Sequence, residues 1–176
     1  YPDRENFGRI DMDMDFDELT DSIRDQIQLL NNIAQDQKVS ISHVKPHGAV
    51  YNRAAKDKTV AQALGEAVTQ VDPSLKVMGL AGSIMLDVFD QMGLEIMAEA
   101  FADRTYEADG SLRNRKYDDA LITKPEKAAK QTEMMVSGKI IAVDGSEVAI
   151  NAQTLCIHSD TPNAVAIAKA VNKVIS

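Results

Sequence analysis

LKVMGLAGSIMLDVFDQMGLEIMAEA, running from Leu75 to Ala100, decides the fold class because it holds a strand, a helix and a second strand with almost nothing between them. Leu75 to Leu80 is a short apolar run, and Ala81-Gly82-Ser83 turns it into a segment with Met85, Leu86, Phe89 and Met92 at helical spacing. Gly93 stops that helix, and Leu94 to Ala100 is apolar again except for Glu95 and Glu99. Strand, helix, strand at this density reads as a parallel sheet with helical cover.

The pattern extends in both directions. Upstream, Asp57 to Val71 carries Val60, Leu64, Val68 and Val71 on one face, and Asp72-Pro73 ends it. Val39 to Val44 is a β-branched run that Lys45-Pro46 closes, since proline lacks a ladder donor and disfavours a helical residue before it. Phe16, Leu19, Ile23, Ile27 and Leu30 set the period of a first helix, with Asp15 and Glu18 spaced as a capping box, and Tyr1 to Asp13 reads as loop. Downstream, Phe101 to Tyr117 is a long polar connection, part of which, Glu107 to Arg115, is expected as a flap. Thr123 and Glu126 suggest a second capping box for a helix that ends before Gly138. Asp144-Gly145 between Ile140–Val143 and Val148–Ile150 is a hairpin signal, Thr154 to Ile157 a last strand, and Thr161-Pro162 the start of a helix over 163–175.

One domain over residues 1–176 is expected, of α/β class. A doubly wound sheet and a closed (β/α) barrel both satisfy the pattern. The helix at Phe16 has no strand before it and the strand and helix units are too few to close a ring, so the expected architecture is a TIM-like barrel incomplete at its N-terminus. A formal net charge of -8 argues against binding nucleic acid or anionic lipid by bulk charge. The one cysteine, Cys156, lies between Leu155 and Ile157 in a strand and cannot form an internal disulfide, and the first residues lack the order of a signal peptide. A cytoplasmic location is expected.

Reactive groups in parallel α/β folds gather where strands end. The exit at 43–48 offers His43, Lys45 and His47, followed by Tyr51 and Asn52. Lys45 suits an anionic group and His47 a proton transfer, while His43 divides evenly between site and strand core. Gly82 and Ser83 offer small residues and amide donors at a helix start, although a tight turn alone needs the same residues. At the next exit Glu99 interrupts a buried run, with Asp103 and Arg104 close behind; the carboxylates fit base or ligand roles, and the guanidinium fits an anion or Glu99 itself. The last exit holds His158 and Asp160, where Asp160 either orients His158 or caps the helix. No zinc helix motif or nucleophile elbow is present, which leaves acid and base chemistry with electrostatic clamping.

With these residues set out, the sequence resembles the LamB/YcsF family. The likeness runs through YPDRENFGR at Tyr1–Arg9, HVKPHGAVYN at His43–Asn52, GLAGS at Gly79–Ser83, EAFADRTYEADGSLRNR at Glu99–Arg115 and TLCIHSDTPNA at Thr154–Ala164. Family members are longer at the front, with acidic DLNxDxGE, NxACGFHAGD-like and GAHP segments, and show glycine more often where Ser159 stands here. The resemblance implies a barrel related to glycoside hydrolases and deacetylases. It implies one subunit of an ATP-dependent 5-oxoprolinase that opens a cyclic amide to glutamate together with B and C subunits. It assigns phosphate or carboxylate binding to Lys45 and Arg104, and acid, base or metal-ligand roles to His47, Glu99, Asp103, His158 and Asp160. Gly82, Ser83 and Asn52 are the expected contacts to ATP; a divalent metal and a homo-oligomer are both compatible. The competing readings are an ATP-independent metal amidase or carbohydrate deacetylase, and a noncatalytic ligand-binding subunit.

Overall fold

Helical spacing of apolar residues produces α1 (Phe16–Asp36), which buries Leu19, Ile23 and Ile27 on one stripe. The computed structural model describes all 176 residues and divides them into two compact units, Tyr1–Met97 and Ala98–Ser176.

In the first unit α1 is followed by β1 (His43–Val44), α2 (Ala49–Ala54), α3 (Lys58–Val71), β2 (Lys76–Leu80) and α4 (Ile84–Gln91). β1 and β2 pair in parallel, with His43 opposite Lys76 and Val44 opposite Val77. α1 packs against α3, and α3 against α4. Gly65 lies at the second contact, where a Cβ would stand 2.6 Å from Met92 Sδ, the end of a flexible side chain. Asp57 caps α3 by accepting the N–H groups of Thr59 and Val60.

The strand expected over Val39–Val44 contracts to its last two residues, and the reason lies in how α1 stops. Lys38 adopts φ +58°, its N–H bonds the Gln35 carbonyl, and the Val39 N–H bonds that of Ala34. This is a Schellman closure, which commits Val39 to the helix end. Asp15 occupies the N-cap of α1 without a side-chain cap bond, so the expected capping box does not form. α2 arises where a loop is expected: Gly48 at φ +74° turns the chain sharply after Pro46. The segment before α1 is tied to this part of the unit by Arg53, which pairs with Asp11, Asp13 and Asp57 and donates to the Met12 carbonyl.

β3 (Ile96–Phe101) runs from the junction into the second unit, which continues with α5 (Pro125–Val136), β4 (Lys139–Ile141), β5 (Glu147–Ala149), β6 (Thr154–Cys156) and α6 (Ala164–Ile175). β3 and β6 are parallel, with Glu99, Ala100 and Phe101 opposite Thr154, Leu155 and Cys156. β4 and β5 form the expected antiparallel hairpin. α5 packs on α6, and Ala102, Ala128, Ile167 and Val171 make a core that Ile122, Leu155 and Ile157 complete. α5 starts with Pro125 after Lys124 and has no side-chain cap, so the capping box read at Thr123 and Glu126 is absent. Likewise α6 is entered through Asn163 at φ +66°, one residue past Pro162. Both units are of mixed α/β class with parallel strand pairing, as the alternation in the sequence requires.

Candidate functional site

The register of β3 and β6 creates the most developed polar arrangement in the chain. Phe101 lies opposite Cys156, and the Ala102 N–H extends the ladder to the Cys156 carbonyl at 3.1 Å. Asp103 and His158 each lie two positions beyond those paired residues, so parallel strands of matched length deliver them side by side. The His158 Nδ1 stands 3.1 Å from both carboxylate oxygens of Asp103. Asp103 Oδ2 also accepts the His158 backbone N–H at 3.0 Å and the Thr161 hydroxyl at 2.5 Å. The carboxylate is fully buried, whereas the His158 side chain keeps a quarter of its surface exposed. The Phe101 ring stacks on the imidazole, with centroids 5.3 Å apart and planes 18° from parallel.

Burial pushes the Asp103 carboxyl up, but the hydrogen bonds from the His158 ring, the Thr161 hydroxyl and the His158 backbone outweigh it and hold it below its ordinary value. An ionised Asp103 is an acceptor only, so Nδ1 carries a proton, and in the neutral form of the ring the lone pair is on Nε2. That arrangement makes His158 a proton acceptor of fixed orientation. Thr161, read from sequence as a helix cap, is the residue missed here; the threonine before proline signalled a helix start and gave no sign of its bond to Asp103.

The rest of the β3 exit is braced rather than mobile. Arg104 is buried, and its guanidinium donates to the carbonyls of Ala120 at 3.3 Å and Arg113 at 2.6 Å. Burial, with the Arg115 charge beside it, holds the Arg104 guanidinium below the ordinary arginine value. Arg113 pairs with Asp119 and Glu107 and covers the Tyr117 ring at 4.2 Å, and isolated bridges join Arg104 to Leu121 and Tyr106 to Leu112. The segment expected as a flap is therefore a tethered loop. Tyr106 is fully buried with its hydroxyl accepting the Phe101 N–H at 2.7 Å, and burial pushes its phenol up. Asp160 is half exposed and pairs with Arg115 at 3.4 Å, while His158 binds Asp103, so the orienting role weighed for Asp160 falls to Asp103. Glu99 is buried on β3 opposite Thr154. A depression of about 530 Å³ is lined by Ser159, Thr161, Asn163 and Lys169.

The remaining expected residues belong to the first unit. Lys45 and His47 line a cavity of about 820 Å³ together with Ser22, Gln26, Ile27 and Val44. His47 Nε2 stands 3.0 Å from the Phe7 carbonyl, which anchors the chain's first segment, and His43 Nδ1 bonds the Ser42 hydroxyl. Gly82 has φ +77° and open space where a Cβ would stand, so backbone conformation accounts for it. The Ser83 hydroxyl donates to the Leu80 carbonyl at 2.6 Å, and the Asn52 amide to that of Gly48 at 3.3 Å. No group of three or more His, Cys, Asp or Glu side chains is placed to hold a metal ion. No helix is long and apolar enough to cross a membrane.

The LamB/YcsF family model matches residues 1–176. The chain is 47% identical over 174 residues to the 5-oxoprolinase A subunit of Histophilus somni (strain 129Pt), covering 98% of this chain and 70% of that one. It is 48% identical over 172 residues to the 5-oxoprolinase A subunit of Chloroflexus aggregans (strain MD-66 / DSM 9485), covering 97% and 68%. Among solved structures it is similar to a lactam utilization protein from Thermus thermophilus, with a TM-score of 0.89 and 38% identity over 99% of this chain and 70% of that one. With the family model matched from end to end and relatives at this level of identity, the chain belongs to the LamB/YcsF family.

Proposed function

We propose that the chain is the lactam-handling subunit of a 5-oxoprolinase, in which His158 moves the proton during opening of 5-oxo-L-proline to L-glutamate. The observation that carries this reading is the buried Asp103 carboxylate holding His158 Nδ1 at 3.1 Å while the imidazole remains partly exposed. The names of the relatives supply the substrate class.

The chemistry follows from the geometry. A water molecule adds to the lactam carbonyl carbon as His158 Nε2 takes its proton. The imidazolium that results faces Asp103, whose charge stabilises it. When the carbon–nitrogen bond breaks, the same proton goes to the departing ring nitrogen, and the carboxyl group formed gives its own proton to the amine, leaving an ammonium and a carboxylate. Phe101 fixes the imidazole plane through this cycle. Lys45 and His47 line a cavity within the first unit whose size is in the ordinary range for small-molecule sites, and an anion-binding role for Lys45 belongs to the same proposal. The (β/α) barrel of glycoside hydrolase and deacetylase type belongs to the same proposal, supported by parallel pairing within each unit.

ATP enters as the co-substrate that would make opening of an unstrained lactam proceed. The turn at 81–83 does not fit a triphosphate cradle, because the Ser83 hydroxyl is committed to Leu80 and Ile84 and Met85 follow it. No step on this chain is therefore routed through the nucleotide, and the ATP requirement is assigned to the assembly with B and C subunits. Glutamate release from 5-oxo-L-proline by the chain with those subunits, with and without ATP, tests the reading. Turnover only in the complete mixture is expected; release of acetate from an acetylated sugar by the chain alone would replace this reading with the deacetylase one.

A further inference from the structure

Gln131, on α5, has its side-chain amide hydrogen-bonded to the backbone on either side of Asp103 and to that of Phe101. Nε2 donates to the carbonyl of Phe101 at 3.0 Å, of Ala102 at 3.3 Å and of Arg104 at 2.8 Å. An amide nitrogen has two hydrogens, so three carbonyls share them, and all three belong to the backbone leaving β3. The one carbonyl of that stretch not turned to Gln131 is that of Asp103, which accepts the Ile122 N–H at 2.9 Å. The backbone around Asp103 is thus held from both sides, with its side chain bonded to His158 and Thr161. Phe101, whose carbonyl Gln131 also holds, places its ring against the imidazole face and has its N–H fixed by the Tyr106 hydroxyl.

We infer that Gln131 is a positioning residue: by gathering the Phe101, Ala102 and Arg104 carbonyls it sets Asp103 and Phe101, and through them the tautomer and plane of His158. The inference rests on the functional reading above for its link to turnover, but its structural half stands without it. Arg104 does not share the task, since its guanidinium reaches away to Ala120 and Arg113. A methionine at 131 fills similar volume and donates nothing. It would release three carbonyls in a partly buried place, and the β3 exit would relax to find other donors.

The test uses the full chain labelled with 15N-histidine, in which His158 is identified by the signal lost in His158→Gln. Two-bond nitrogen–proton correlations report the ratio of Nδ1–H to Nε2–H forms. In the wild-type chain the Nδ1–H form dominates; in Gln131→Met the ratio falls about tenfold. In the assembly with partner subunits, kcat for lactam opening falls about tenfold to a hundredfold with KM within about twofold. If Gln131→Met does not fold, Gln131→Asn, which retracts the amide by one methylene, carries the same readout. A folded variant with lowered thermal stability and an unchanged His158 ratio would make Gln131 a merely structural residue and overturn the inference. A ratio that moves in a protein whose wild type opens no lactam would uphold the positioning role and defeat the 5-oxoprolinase reading instead.

Discussion

Asp103 is the side chain that orients His158. Its carboxylate receives three donors and is removed from water, so replacement by asparagine leaves one oxygen and an amide facing N–H groups that need an acceptor. Asp103→Asn is expected to lower folding stability by about 1–3 kcal/mol at neutral pH, read by urea titration. It should also lower kcat about a hundredfold or more, because the imidazole loses its preferred tautomer. The sign of the pH effect follows from the direction of the shift. A carboxyl held below its unfolded value contributes stability that is full above about pH 4 and disappears as pH falls through the lowered folded value. The part of the stability gap between wild type and Asp103→Asn that the lowered carboxyl supplies should therefore close as pH falls below about 4. Asp103 and His158 were legible in the sequence because both follow apolar strands. Thr161 and Gln131 were not, since a threonine before a proline signals a cap and a glutamine in a helix signals a solvated face. Their roles come from packing between elements, which periodicity does not carry.

At the scale of the element, the readable pieces were those long enough to show a period. α3, β2 and α4 lie where the sequence places them, and Asp57 caps as its position suggests. α2 was missed because Ala49–Ala54 is under two turns, shorter than any window in which helical spacing can be told from chance. β1 shrank because the closure of α1 takes Val39. The glycines divide by the same logic. Gly48 combines φ +74° with a Cβ position 2.4 Å from the Gly8 carbonyl oxygen, while Gly82 combines φ +77° with open space. Gly82→Ala is expected to cost about 1–2 kcal/mol, from backbone conformation alone. Gly48→Ala should cost about 2–4 kcal/mol and loosen the His47 bond to Phe7, since backbone there has to move. Urea midpoints of the two variants, with amide exchange over residues 1–8, check both values; equal costs would mean that the contact between Gly8 and Gly48 carries no energy.

For the whole molecule, class and chemistry were legible to different depths. Alternating strands and helices fixed a parallel α/β class, and the strand-end residues pointed to acid and base chemistry. How Glu99, Arg104 and Asp160 divide their work was not legible, because each is a charged residue at a strand end and only coordinates distinguish a brace from a reactant. Arg104 proves to brace the loop after β3, and Asp160 meets Arg115. In the proposed function the relatives' names supply the substrate class, and the proton chemistry is assigned to the imidazole with a buried carboxylate behind it. The most direct test is the rate of 5-oxo-L-proline opening by His158→Gln assembled with its partner subunits and ATP, beside wild type. A loss of about a hundredfold or more in kcat with unchanged assembly is expected; turnover within about twofold of wild type would rule out His158 as the proton carrier.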